Sequence, residues 1–266
     1  MSDFQIGVIG GTRGMGSWFA RFLEAEGYGV RVFGRNMETA DVTEMARACQ
    51  VVVVSVPIGV TCEVIEKVGP HMPKNSLLMD LTSLKCEPVK AMLESSVSEV
   101  IGCHPLFGPQ IDSMAGQRVV LCPARVKKWL PWLKDILERN GVLVVEATPE
   151  KHDRMMAIVQ GLNHFNTIMM GLVLSRTGVD ISELMKFTTP VFKTKIEIIE
   201  KVFCQNPGLY TEIIAMNPDV RQLIEMYEKS VAELKNLIEQ GNAADIADVI
   251  QNHAACFKNI LSWDAG

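Results

Sequence analysis

The chain has 266 residues, 48% of them hydrophobic and 21% charged, enough for one large or two ordinary globular domains with an ample core. A formal net charge of -5 argues against nucleic acid or an anionic membrane as the main partner. No unbroken apolar run approaches the about 20 residues of a bilayer span, and a strand pattern starts almost at once (Phe4-Gln5-Ile6-Gly7-Val8-Ile9), so neither a membrane anchor nor a signal peptide is expected.

Up to residue 149, short β-rich runs alternate with helical periodicities. Strands are predicted at 4–10, 29–34, 51–56, 76–80, 100–103, 117–122 and 142–147, and helices at 15–26, 41–49, 59–68, 88–93 and 125–140. Val51-Val52-Val53-Val54 is the kind of continuous β-branched run that lies buried on both faces of a parallel sheet. From residue 150 only helical periodicities remain, broken at Gly178, Pro190, Pro207, Pro218 and Gly241. The expected architecture is therefore α/β: a Rossmann-like, doubly wound, mostly parallel sheet over residues 1–149, then a second, all-helical domain over 150–266. The seven cysteines are scattered and never spaced as CxxC, which reads as reduced thiols of a cytoplasmic protein, with no disulfide frame and no metal site.

The first strand leads through Gly10, Gly11, Thr12, Arg13, Gly14, Met15 and Gly16 into a helix. Glycines at such a turn let backbone amides and a helix N-terminus approach a pyrophosphate that side chains would block, so these seven residues are the candidate dinucleotide site. The spacing departs from GxGxxG, because Arg13 stands where the middle glycine falls when counted back from Gly16. At the end of the second strand, where an NAD site usually has an acidic residue, stand Arg35 and Asn36. A cation there suits a 2′-phosphate and favours NADP, with NAD as the other option; the competing reading of Arg35 is a solvated surface arginine.

Two further turns carry chemistry. His104-Pro105-Leu106-Phe107-Gly108-Pro109 follows an apolar strand and puts an imidazole in a turn stiffened by two prolines, which fix φ, and a glycine. Asp80-Leu81-Thr82-Ser83-Leu84-Lys85 follows the fourth strand, and both turns should meet at the carboxyl edge of the sheet, where ligands gather in open α/β folds. His104 is thus a candidate general base and Ser83 a partner for the same substrate group; a structural histidine and a helix N-cap are the alternatives. In the helix that starts near residue 150, Gln160, Asn163, His164 and Thr167 recur at i, i+3, i+4 and i+7, a polar stripe on an otherwise apolar helix that should face a polar cavity. A satisfied core histidine is the other reading of His164.

These motifs, in this order across nearly the whole chain, resemble the prephenate/arogenate dehydrogenase family of tyrosine biosynthesis. The resemblance implies that His104 takes the proton of the substrate's ring hydroxyl while hydride leaves the same carbon for NADP. The ring then loses carbon dioxide and becomes aromatic. It implies that Ser83 holds that hydroxyl, that Lys85 has a structural or electrostatic role, and that His164, in the pattern His152-Asp153-Arg154-Met155-Met156-Ala157 and His164, binds substrate; Gln160 is a substrate-binding candidate from the polar stripe alone. The family's arginine for the ring carboxylate is matched here by Lys201, six residues before Pro207 in Gln205-Asn206-Pro207-Gly208-Leu209-Tyr210. Lysine lacks the bidentate fork, so Lys193, Lys195 or Arg154 could share the grip, and a simple i,i+4 pair with Glu197 is the alternative for Lys201. The resemblance further implies a small dicarboxylate substrate, a homodimer through the helical domain and an active site between the domains; since the sequence starts at the first strand and stops after helices, the fused chorismate mutase or regulatory domains of some relatives are not expected. A β-hydroxyacid dehydrogenase or imine reductase, and a non-catalytic NADP-sensing regulator, are the rival readings.

Overall fold

The computed structural model describes residues 4–34 and 39–258. Seven strands, β1 (Gln5–Ile9), β2 (Gly29–Phe33), β3 (Val51–Val54), β4 (Leu77–Asp80), β5 (Glu99–Pro105), β6 (Arg118–Arg125) and β7 (Leu143–Glu146), form one sheet in the order β2-β1-β3-β4-β5-β6-β7. All neighbours are parallel except β5 and β6, which run antiparallel with His104 opposite Val120. The chain leaves β1 toward β2 and returns on the other side to β3, so the order reverses at β1, the kind of switch point where open α/β folds bind ligands.

Helices cover both faces, as the buried valines of β3 require: Val51 and Val53 pack on one side and Val52 and Val54 on the other. On the first side lie α1 (Gly14–Ala25) and α5 (Trp129–Arg139), through Phe19, Leu23, Trp129, Leu133 and Leu137. On the second lie α2 (Thr39–Ala48), α3 (Ile58–Val68) and α4 (Cys86–Ser95), through Met45, Ile65, Val68, Val89 and Met92.

Two of the expected bounds change for long-range reasons. Residues 125–128 are not the start of a helix: Arg125 ends β6, and its guanidinium donates to the carbonyls of Ser98 and Ser96 at 2.6 Å each and Leu93 at 3.3 Å, around the end of α4. The free amides before α5 are met by the Glu99 carboxylate of β5, which accepts from Lys127, Lys128 and Trp129 at 2.5, 3.2 and 3.1 Å. His104 also moves: it is a member of β5, held by the ladder to β6, and not part of the turn that follows.

After β7 the described chain is helical: α6 (Pro149–Met156), a π-helical segment (Ala157–Leu162), α7 (Asn163–Arg176), α8 (Ile181–Leu184), α9 (Pro190–Glu200), a second π segment (Lys201–Gln205), α10 (Pro207–Met216), α11 (Val220–Glu239) and α12 (Ala243–His253). Packing divides the chain into two compact units, Met1–Asp219 and Val220–Gly266, so α6 to α10 belong with the sheet and α11 and α12 form the second unit. Side-chain bonds stitch the first unit together: Glu212 of α10 accepts from the Ile58 amide at the start of α3 (3.0 Å), and Asp153 of α6 holds the start of α4.

The helical run Pro149–Arg176 is 28 residues long and, with a mean hydropathy of 1.2 over its most apolar stretch, passes a length-and-composition test for a membrane span. It is not the buried helix with one polar stripe that its sequence implies. The inward side holds His152, Asp153, Ala157, Gly161, Thr167 and Gly171, whereas Met155, Ile158, Val159 and Val173 are exposed and so is Asn163. The π segment adds residues to the turn and shifts the phase, which is why a 3.6-residue count misplaces Asn163.

Candidate active site

At the nucleotide end the glycine turn is a backbone cradle. Gly10 has φ +81°, and a Cβ on it would stand 2.0 Å from the Ser55 carbonyl oxygen; a Cβ on Gly16 would stand 2.6 Å from the Gly10 oxygen. These two glycines let β1, β3 and α1 close on one another. Gly14, at φ +60°, differs: a Cβ there would meet nothing within 4 Å. Arg13, in extended conformation, precedes α1 and gives it no side-chain cap, and the space around the Cβ direction of Gly14 is open among the described residues. Amides, a positive helix end and room for a ligand together fit a dinucleotide pyrophosphate. Gly11, Thr12 and Met15 complete the turn, while Arg35 and Asn36 lie outside the described residues.

The carboxyl ends of β4 and β5 carry a buried polar network. Lys85 is wholly buried; its Nζ is ion-paired with Asp80 and donates to the Cys103 carbonyl at 3.0 Å. Asp80 also accepts from the Thr82 amide (2.9 Å) and hydroxyl (2.5 Å). The turn is therefore folded around Asp80, with Thr82 and Lys85 turned inward. Ser83 is half-buried, and its hydroxyl has no hydrogen-bond partner among the described residues, so it neither caps α4 nor bonds to His104.

His104, 3% exposed, has its Nδ1 2.8 Å from His152 Nε2, and His152 Nδ1 lies 2.7 Å from Asp153 Oδ1. The Asp153 carboxylate accepts from the Lys85 amide at 2.8 Å and the Cys86 amide at 2.9 Å. Burial drives the His104 pKa well below that of an ordinary histidine, and the nearby His152 and Lys85 add to it. Burial also lowers His152, against the pull of Asp153. For Asp153 burial works the other way, but the bonds from His152 and the two amides outweigh it and keep the acid ionised. The adjacent Cys103 is buried and its thiol pushed up by burial, so it is no nucleophile.

On the other ring edge, His104 Nε2 lies 3.4 Å from the Gln160 amide nitrogen, which brings Gln160 to the imidazole as part of one site. Gln160 Oε1 and His164 Nδ1 are buried with no hydrogen-bond partner among the described residues, unsatisfied groups of the sort that a ligand completes. The His164 ring packs edge-on against Tyr210 of α10, with centroids 4.7 Å apart. Lys201 is exposed at the start of the second π segment and joins no ion pair among the described residues; Glu197 pairs with Lys193 instead, at 3.8 Å. In the sequence, His152, Asp153 and Tyr210 are visible only as parts of motifs. Two adjacent ionisable residues at the start of an apolar helix were the available signal for the first two.

Comparison with known proteins identifies the family and the fold. The family "prephenate dehydrogenase, nucleotide-binding domain" matches residues 19–146, and "prephenate dehydrogenase, dimerization domain" matches 148–252. A probable arogenate/prephenate dehydrogenase of Methanocaldococcus jannaschii is 38% identical, over 96% of this chain and 61% of the relative. The T-protein of Haemophilus influenzae is 34% identical, over 97% and 67% respectively. The chain thus spans about three fifths to two thirds of these relatives. Among solved structures, prephenate dehydrogenase from A. aeolicus with hydroxyphenyl propionate and NAD+ superposes with a TM-score of 0.76 at 22% identity, covering 98% of this chain and 99% of that one. An imine reductase from Myxococcus stipitatus superposes less well, with a TM-score of 0.52 at 16% identity over 76% of this chain and 78% of that one, a likeness of fold alone.

Proposed function

Because the chain belongs to the prephenate dehydrogenase family of NAD(P)-using oxidoreductases, we propose that it catalyses the oxidative decarboxylation of prephenate to 4-hydroxyphenylpyruvate, or of arogenate to tyrosine, with NADP as the preferred acceptor. The observation that carries this reading is the buried His104 at the sheet's carboxyl edge, one ring nitrogen engaged by His152 and the other turned toward Gln160, with burial lowering its pKa. A base with a lowered pKa is unprotonated near neutrality and ready to take the hydroxyl proton. The bound nicotinamide supplies the hydride acceptor, and loss of carbon dioxide with aromatisation drives the reaction forward.

In this reading Ser83, whose hydroxyl has no partner of its own, holds the substrate hydroxyl beside His104. His164 Nδ1, when it carries the ring hydrogen, donates to a substrate carboxylate, Gln160 Oε1 accepts from a substrate donor such as the ring hydroxyl, and Lys201 supplies a cation. Gly10, Gly11, Thr12, Arg13, Gly14, Met15 and Gly16 cradle the pyrophosphate. NADP over NAD rests on Arg35 and Asn36 and on the names of two yeast relatives, each a prephenate dehydrogenase [NADP(+)]; the A. aeolicus structure holds NAD+. The nucleotide part spans 1–149 and the helical part 150–266, and the exposed apolar residues of α6 and α7 support a homodimer through the helices; a cytoplasmic location rests on the scattered cysteines without CxxC spacing.

The test is the rate of nicotinamide reduction with prephenate, arogenate and a panel of hydroxyacids. Turnover of a cyclohexadienyl substrate is expected, and hydroxyacid turnover alone would overturn the proposal. An Arg35→Ala variant that keeps its preference for NADP would overturn the cofactor assignment.

A further inference from the structure

We propose that His152 and Asp153 are positioning residues that hold His104 in the tautomer with its hydrogen on Nδ1, which leaves Nε2 as the proton-accepting atom. The inference rests on the reading of His104 as the base. It starts at one anchored charge. The two oxygens of Asp153 each accept a backbone amide at the beginning of α4, Lys85 on Oδ1 and Cys86 on Oδ2, so the carboxylate plane is fixed and its charge sits at a positive helix end. The carbonyl of the same residue accepts from the Asn217 side chain at 2.9 Å, which pins its backbone.

An ionised carboxylate only accepts, so His152 Nδ1, 2.7 Å from Oδ1, must donate. Neutral His152 then has a lone pair on Nε2, and His104 Nδ1, 2.8 Å away, must donate to it. Neutral His104 is left with its lone pair on Nε2, the atom toward which the Gln160 amide nitrogen points. In the opposite tautomer two lone pairs would oppose each other at 2.8 Å in a buried place, unless His152 were charged, which its burial disfavours. Without such a chain an imidazole populates both neutral forms, and one of them has no lone pair for the substrate. When His104 takes the proton, its Nδ1–H bond becomes charge-assisted and the Asp153 charge lies at the far end of the same chain, so the arrangement also favours the imidazolium.

The test combines nitrogen-15 NMR of the imidazoles with steady-state kinetics of the intact enzyme. In wild type, His104 Nε2 should resonate as an unprotonated nitrogen and Nδ1 as a protonated one; in His152→Leu, Nε2 should gain protonated character. That variant should lose about 10²-fold in kcat, within the usual worth of a positioned base, with cofactor affinity unchanged. His152→Gln, whose carbonyl can accept the His104 hydrogen, should recover to within about 10-fold of wild type and restore the tautomer. A wild-type His104 protonated on Nε2, or an unchanged tautomer in His152→Leu or, should that variant not fold, in Asp153→Asn, would overturn the proposal. His104→Asn that keeps its turnover would remove the base reading itself, whatever the NMR shows.

Discussion

At residues 10–16 the site is made of backbone, where absent side chains let the Gly10 and Ser55 chains pass and leave helix amides uncapped. At the ends of β4 and β5 it is made of side chains: Asp80, Lys85, His104, His152 and Asp153 are all buried and each is bonded to another part of the network. The first region depends on neighbours a few residues apart. The second joins residues 48 and 68 positions distant, so its geometry exists only once α6 has docked on α4 and β5. A backbone site tolerates exchange of most side chains and fails at its glycines, whereas a side-chain network should fail at any of its members.

The largest effect expected is at the network's working atom. His104→Asn should lower kcat by about 10³-fold with cofactor affinity retained, read from nicotinamide reduction and cofactor titration. If cofactor affinity falls in parallel, the two regions are not separable in the way described. Next comes Lys85→Met, which leaves Asp80 as a buried charge without its cation; Asp80 Oδ1 already lacks a partner. Breaking such a pair should cost about 3–5 kcal/mol in denaturant unfolding, and replacing both partners with apolar residues should recover much of it. A loss below about 1 kcal/mol would mean that water reaches the pair.

The same contrast explains how much could be read beforehand. Alternating patterns placed all seven strands, and Gly10, Gly14 and Gly16 announced their turn because a glycine's function is carried by its own missing side chain. His104 stood out for its proline-stiffened setting, yet its hold comes from the β6 ladder and from His152. The inward roles of Thr82 and Lys85, in a motif that first drew attention to Ser83, depend on where Asp80 points. Glu99 capping α5 from another strand is likewise invisible to any local rule. The phase of Asn163 is lost at a π segment, since periodicity arguments assume a constant turn.

Gly10→Ala brings strain and collision together: left-handed backbone plus a methyl 2.0 Å from a carbonyl oxygen. A loss of about 2–3 kcal/mol in unfolding free energy is expected, and wild-type stability would show that β1 and β3 can part at that point. A smaller and more gradual effect separates the regions by pH. His104, His152 and His164 all have folded pKa values depressed by burial below the ordinary 6.5. The unfolded chain then binds protons first, so the stability present above about pH 6.5 declines as pH falls toward the folded values. Each histidine kept neutral contributes a slope of at most about 1.4 kcal/mol per pH unit. Melting temperature against pH should therefore fall on the acid side, less steeply in His164→Asn; equal slopes would place the sensitivity elsewhere.

The smallest change tests the backbone region most directly, because a matched control exists on the same helix. Gly14 and Gly27 flank α1, have φ values of +60° and +89°, and neither would bring a Cβ within 4 Å of another atom. Alanine at either should cost about 1 kcal/mol through left-handed backbone alone. Only at Gly14 does the methyl enter the space before the uncapped amides of α1, so Gly14→Ala should weaken dinucleotide binding by about 10-fold while Gly27→Ala leaves it unchanged. Calorimetric titration of both variants with NADP and NAD reads this difference. Equal affinities would move the pyrophosphate away from the start of α1 and leave that end of the helix without a ligand to explain its missing cap.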